Sequence, residues 1–339
     1  MRYILIFSFL LVSGTSGFSQ QETPKQLQET AKTFLQKGDY DRALLTLESA
    51  RRREPGNVDI LKDLSFANYL KRDFAKAIEI GKEIIERSDA DQQSFQVLGL
   101  SYKAIASYKE CAKLYRQALQ KFPKSGVIYN EYAELLAIEN NLDEAIVQWE
   151  KGIEVDPGYS SNYYNATMYY VRSKSWLRAM LYGEMFLNLE SYSTRTEEIK
   201  KQLPGVYKNL FLPGMVNQLR NMRAVTDFEK TILESLAKAA SSAKIEMPVE
   251  DIIVIRSRFI EDWVKEKQAR YPFQLFDNQH YLLSQGLFEA YNYWVFSTSA
   301  NPDAYRVWLN NHSKENEAFK NLQQNKVFKI PAGQYYFSR

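Results

Sequence analysis

The chain has 339 residues, with 44 Lys and Arg against 41 Asp and Glu, giving a formal charge of +3. The two signs are interspersed, so no basic stripe argues for nucleic acid as a partner. The one cysteine, Cys111, excludes an internal disulfide, and only two histidines, His280 and His312, are present to serve a transition-metal site.

Residues 1–19 read as a signal peptide. Arg2 supplies a short basic start, residues 4–12 (ILIFSFLLV) are apolar but too few to span a bilayer, and Gly17 and Ser19 fit the −3 and −1 cleavage positions. No cysteine lies near the cleavage region to carry a lipid anchor, and no later apolar run approaches the roughly 20 residues of a membrane span. The expected location is periplasmic or secreted, with no membrane span in the mature chain.

From residue 24 a period takes over. Ala43, Ala77, Cys111, Ala145 and Ala179 stand 34 apart without a gap. Three positions earlier comes a large residue (Tyr40, Phe74, Tyr108, Leu142, Trp176), and twelve earlier a small one (Ala31, Ser65, Gly99, Ala133, Thr167). Pro55, Asp89, Pro123, Pro157 and Ser191 fall in the same phase as turn residues. In this pattern the sequence resembles the tetratricopeptide repeat (TPR) family, whose unit is two antiparallel helices. The resemblance covers residues 24–193 as five units, 24–57, 58–91, 92–125, 126–159 and 160–193. It implies an all-α TPR solenoid.

Each recurring residue has a physical task. The small side chains at unit positions 8 and 20 let the two helices of a pair approach, and Cys111 fills such a slot as a small buried hydrophobe. Asp39, Asp73, Ser107, Asn141 and Ser175 precede the second helices as N-caps. Ser107 with Glu110, and Asn141 with Glu144, have capping-box spacing. Positions 24 and 27 trade bulk: Leu47/Ala50, Tyr115/Ala118 and Trp149/Gly152 run large to small, Gly81/Ile84 and Gly183/Phe186 the reverse. Different packing of the following helix is therefore expected after the second and fifth units.

The family resemblance places positions 2, 5, 9, 12 and 13 of each first helix on a concave groove. Position 9 reads Lys32, Phe66, Leu100, Glu134 and Met168, and position 13 Gln36, Leu70, Ala104, Ile138 and Arg172. A TPR subgroup grips a partner's terminal carboxylate with Lys at position 5, Asn at position 9 and further basic groups. Lys62 matches the first, but Phe66 replaces the Asn and Leu100 and Ala104 replace later polar members, so that clamp is not carried over. The candidate partner groove is Lys62, Phe66, Tyr69, Leu70, Leu100, Ile138, Tyr164 and Met168, suited to an amphipathic helix or an extended apolar segment of a protein partner. Alternatively, the chain's own C-terminal region covers these residues, or a neighbouring copy's helix fills the groove.

Residues 194–339 form an aromatic-rich helical C-terminal region without the period. Pro204-Gly205 and Leu212-Pro213-Gly214 are expected breaks, followed by helices over 226–243, 248–269 and 278–296, and a shorter one started by Asn301-Pro302-Asp303. Residues 327–330 and 334–337 would form a small terminal β-hairpin around Pro331-Ala332-Gly333. The rings of this region, from Trp263 to Trp308, are expected to be mainly core.

No HExxH or Cys-x-x-Cys pair, nucleophile elbow, phosphate loop or dinucleotide fingerprint occurs, so no catalytic residue, metal ligand or cofactor is assigned. Asp277, His280 and Glu289 would decorate one helix without chemistry. The expected function is an exported, non-enzymatic scaffold binding a protein partner in the cell envelope. The alternative makes the C-terminal region a ligand-binding or enzymatic module with the TPR array as its docking arm; a closed pocket with convergent polar groups among the rings would favour it.

Overall fold

The computed structural model describes residues 22–221, 225–240, 248–331 and 333–334. The signal peptide at 1–19 and the hairpin residues 335–337 lie outside them. Among the described residues there are eighteen α-helices and no strand, and residues 327–330 carry no regular structure.

The period is realised to the residue. First helices are α1 (Pro24–Gln36), α3 (Val58–Lys71), α5 (Gln92–Ala104), α7 (Gly126–Ile138) and α9 (Ser160–Arg172). Second helices are α2 (Tyr40–Arg53), α4 (Phe74–Ile85), α6 (Tyr108–Lys121), α8 (Leu142–Val155) and α10 (Trp176–Leu189). Both series start every 34 residues. The chain forms two compact units that meet in sequence between Ala90 and Asp91. The first holds α1–α4 and the second everything from α5 onward.

Small residues let the pairs close. In the first unit Ala31, Ala43, Ser65 and Ala77 are fully buried, and the Ser65 hydroxyl donates to the Ala77 carbonyl at 2.9 Å. In the second unit the buried Cys111 thiol lies 3.6 Å from the Gly99 carbonyl oxygen. Burial pushes that thiol up to about 11, so it stays protonated and inert near neutral pH. Gly99 is obligatory: a Cβ there would lie 2.1 Å from the Tyr115 hydroxyl oxygen.

The caps divide. Asp39, Asp73 and Asn141 accept from backbone amides of α2, α4 and α8, but Ser107 and Ser175 form no side-chain cap bond among the described residues. The box expected of Ser107 and Glu110 is therefore absent. A second series caps four of the first helices: Thr23, Asn57, Asp91 and Ser125 each accept from a backbone amide up to one turn on, whereas Tyr159 before α9 forms no side-chain cap bond. A further regularity joins each pair. Gly38, Arg72, Ala106, Asn140 and Lys174, at unit position 15, all adopt left-handed backbone (φ +74, +67, +55, +61 and +58°).

Ser193 opens α11 (Thr194–Leu210) in phase, so the frame runs one helix further than the sequence pattern shows. The break expected at Pro204-Gly205 does not occur. Pro204 removes one backbone donor, yet Leu203, Val206, Tyr207 and Leu210 are buried around it, and tertiary packing holds the helix together. A Cβ on Gly183 would meet Leu203 at 3.1 Å and Thr167 at 3.2 Å, so the small-to-large inversion at that position admits α11 closely against α10.

Beyond α11 come α12 (Met215–Arg220), α13 (Asp227–Ala239), α14 (Val249–Glu266), α15 (Gln274–Ser284), α16 (Phe288–Phe296), α17 (Pro302–Asn311) and α18 (Ser313–Asn325). The helix expected over 278–296 is two, because Gly286 turns the chain at φ +68° between α15 and α16. Most of the aromatic run is core, as its helical spacing implies. Phe228, Phe259, Trp263, Phe273 and Phe276 pack with centroid separations of 4.9–5.8 Å, mostly edge to face.

This region packs on α10. Nine consecutive residues, Ala179–Leu187, are buried, the signature of a helix enclosed on all sides. Leu181 is fully buried, whereas its counterparts Leu45 and Val147 at the same unit position are 70% and 57% exposed. The C-terminal helices thus cover the side of the last second helix that faces solvent earlier in the array.

Candidate functional site

The face of the first helices carries a polar ladder. Gln28 donates to Asp63 at 2.9 Å in the first unit. In the second, Gln96 donates to Glu131 at 2.8 Å, and Asn165 donates to Asn130 at 2.9 Å. Each rung joins residues 35 apart, position 5 of one unit to position 6 of the next. Lys103 adds an ion pair to Glu131 at 2.7 Å, and the Tyr115 hydroxyl donates to the same carboxylate at 3.1 Å. Glu131 is buried, so these donors offset its desolvation. Position 5, assigned to the groove by family resemblance, here largely stitches neighbouring first helices together.

The eight predicted groove residues fall in four places. Lys62, Phe66, Tyr69 and Leu70 lie on α3 in the first unit. Lys62 is buried with its ammonium 2.9 Å from Asp59, and Phe66 stacks on Tyr69 at 6.0 Å. Leu100, on α5 in the second unit, is half-buried beside the ladder. Tyr164 is engaged by α11: its hydroxyl donates to Glu198, and the Arg195 guanidinium lies 5.2 Å from its ring centre. Burial, with the bond to Glu198 next, pushes that phenol up to about 12.

Ile138 and Met168 line an open cleft of about 440 Å³ formed by α7, α8 and α9. Glu134, Ala137, Leu142, Trp149, Asn165, Tyr169 and Arg172 complete it. Ile138 is 52% exposed, a large apolar side chain presented to solvent at the cleft edge. Among the described residues none beyond Arg172 lines this space, so the described C-terminal helices on α10 leave it open. Glu134 and Arg172 occupy groove positions of the unit frame, but selection for apolar side chains passed them over. Trp149 and Leu142 come from the second helix, which a pattern built on first helices does not address; the bulk of Trp149 at position 24 was the available signal.

Polar groups also converge among the C-terminal rings. Buried Glu184 on α10 pairs with buried Arg256 on α14 and accepts from Tyr207, from Gln279 at 2.7 Å and from Tyr291 at 2.9 Å. Arg256 donates to Asn292 at 2.6 Å and lies 5.2–5.5 Å from the ring centres of Tyr207, Phe288, Tyr291 and Phe296. The cavity beside this network, bordered by Asn188 and Asn278, measures about 40 Å³, room for a water or two. The convergence that would mark a ligand-binding module is spent inside the core. Asp277, His280 and Glu289 do not form a group: Asp277 on α15 accepts from Gln268 at 2.7 Å, and Glu289 on α16 accepts from the Trp308 indole at 2.7 Å.

Antiparallel helix pairs in strict 34-residue register, stitched along their first helices and open to a cleft on that side, define a repeat scaffold of the protein-binding class. Residues 29–93 and 97–160 match the Tetratricopeptide repeat family, and this region of the chain belongs to it. Tetratricopeptide repeat protein 21B of Mus musculus, and equally that of Homo sapiens, is 30% identical over 126 residues. The alignment covers 37% of this chain and only 9% of those relatives. A solved tetratricopeptide repeat protein from Parabacteroides merdae ATCC 43184 is 13% identical, covering 75% of this chain and 96% of that one, with a TM-score of 0.41. MamA is 20% identical over 48% of this chain and 94% of its own, with a TM-score of 0.39.

Proposed function

We propose that this chain is an exported scaffold of the cell envelope that holds a partner protein in the cleft formed by α7, α8 and α9. The cleft carries this reading. It is concave, about 440 Å³ in volume, and offers Ile138 and Met168 on the first-helix side of a tetratricopeptide repeat array. Clefts of this kind take the apolar face of a helix or an extended segment. The export half of the reading is supported by the basic start, the short apolar run and the small residues before Gln20.

Two measurements test it. N-terminal sequencing of the protein recovered from the envelope fraction should read Gln20 first; an intact Met1 in the cytoplasm removes the export claim. A photo-crosslinker at Ile138 should join the chain to a defined partner that one at the outer-face Val147 does not reach. Met168→Asp should abolish that product while leaving the helical signal unchanged. Equal crosslinking from both positions would reject the cleft.

A further inference from the structure

We infer that the partner segment presents a large apolar side chain flanked by an aspartate or glutamate, and that Arg172 reads the acid. This rests on the cleft being the docking site. The lining is largely apolar, with Leu142, Trp149 and Met168 inside and Ile138 at the edge. Its polar groups are unequally satisfied. Glu134, the one carboxylate in the lining, already accepts from Asn130 at 2.8 Å and pairs with Lys103 at 3.4 Å. The Tyr169 hydroxyl is committed to Asp143 at 3.1 Å. Arg172 is exposed at the end of α9, and its guanidinium has no ion-pair or hydrogen-bond partner among the described residues. The Trp149 indole N–H is buried without an acceptor. Besides the Asn165 amide oxygen, what the cleft has left to offer is donors and one uncompensated positive charge, and the complement of that charge is an anion beside an apolar anchor.

The position of Arg172 selects the source of that anion. It stands at the exposed end of its helix while the floor is apolar. A chain running across the cleft can set its anchor on the floor and its acid against Arg172.

The test is an array of peptides about 15 residues long, tethered through their C-termini, each with Leu, Phe or Met flanked by acidic, neutral or basic residues. Wild type should bind acid-flanked peptides about tenfold better than basic-flanked ones. Arg172→Glu, a surface change, should reverse the preference, and Ile138→Lys should remove binding to both sets. Three outcomes overturn the inference: a charge preference unchanged in Arg172→Glu, binding only when peptides are tethered through their N-termini with free carboxylates, or no binding to any peptide. Crosslinking at Ile138 that succeeds without an acid preference would sink this inference alone; failure of both would sink the docking site as well.

Discussion

Helices α8 and α10 carry a glutamate at the same unit position, Glu150 and Glu184, and the two are held in opposite ways. Glu150 accepts from Tyr170 at 2.6 Å and Tyr182 at 3.0 Å, rings supplied by the adjoining repeat helices. Glu184 accepts two tyrosine hydroxyls as well, but also meets Arg256, 72 residues along the chain. Within the repeats, the partners of Glu150, like those of Glu131, come from the same or adjoining repeat helices. At the array's end the sixth unit is only half present, and non-repeating pairings, Glu184 with Arg256 and Arg178 with Glu229 at 2.8 Å, join the C-terminal helices to α10. The period governs the first region; long-range pairings govern the second.

Removing the Glu184–Arg256 pairing should have the largest effect. Arg256→Met leaves Glu184 buried without its countercharge and should cost about 3–5 kcal/mol in denaturant unfolding. The double variant Glu184→Gln, Arg256→Met should recover most of the loss; no recovery would mean that packing rather than charge joins α14 to α10. In the repeat region the corresponding test is steric. Gly99→Ala drives a methyl into Tyr115 and should cost about 1–3 kcal/mol, relieved by adding Tyr115→Leu. Smaller still is the strain stored at unit position 15. Ala106 is exposed and left-handed at φ +55°, so Ala106→Gly should stabilise the chain by about 0.5–1 kcal/mol, read as a raised Tm. Destabilisation would show that the turn carries no strain.

The last test probes Glu150 by pH. Burial raises Glu150 above its ordinary value of 4.5, outweighing the tyrosine bonds that lower it. A raised folded value means that the native state takes up the proton more readily, so this group's contribution is fully present below 4.5 and declines as pH rises through the folded value. Glu150→Gln should therefore be more favourable relative to wild type at pH 7 than at pH 4. A difference independent of pH would place Glu150 in a solvated setting, and one of the opposite sign in an ion-paired setting.

The five pairs were legible because 34 residues return each small and each large side chain to the same contact, so the error at one unit is corrected by the next. Ala31 to Thr167 and Ala43 to Ala179 alone fix where the helices touch. The C-terminal region offered no such redundancy. Gly286 was hidden inside an apolar run, Pro204 looked like a stop, and α18 had no strong start signal because His312 precedes it without a cap bond. Of the site, Ile138 and Met168 were readable from their place in the frame. Arg172 stood in the frame at position 13 but was passed over for its charge, and Trp149 was not readable, since a pattern built on first helices does not say which turns of a second helix frame the opening. The Glu184–Arg256 pair left no local trace at all.

The in-frame start of α11 has a consequence for how such a chain can change length. It is the first half of a sixth unit, and its second half is replaced by unrelated sequence. A copied 92–125 segment inserted before Gly126 would present its own equivalents of Gln96, Lys103 and Tyr115 to Glu131, leaving every downstream contact in place. The same insertion after Ser193 would carry Glu184 away from Arg256 and strip the cover from Leu181. Growth by duplication is thus open upstream and closed at the fifth unit, where the array spends its last interface on a terminus that cannot be repeated.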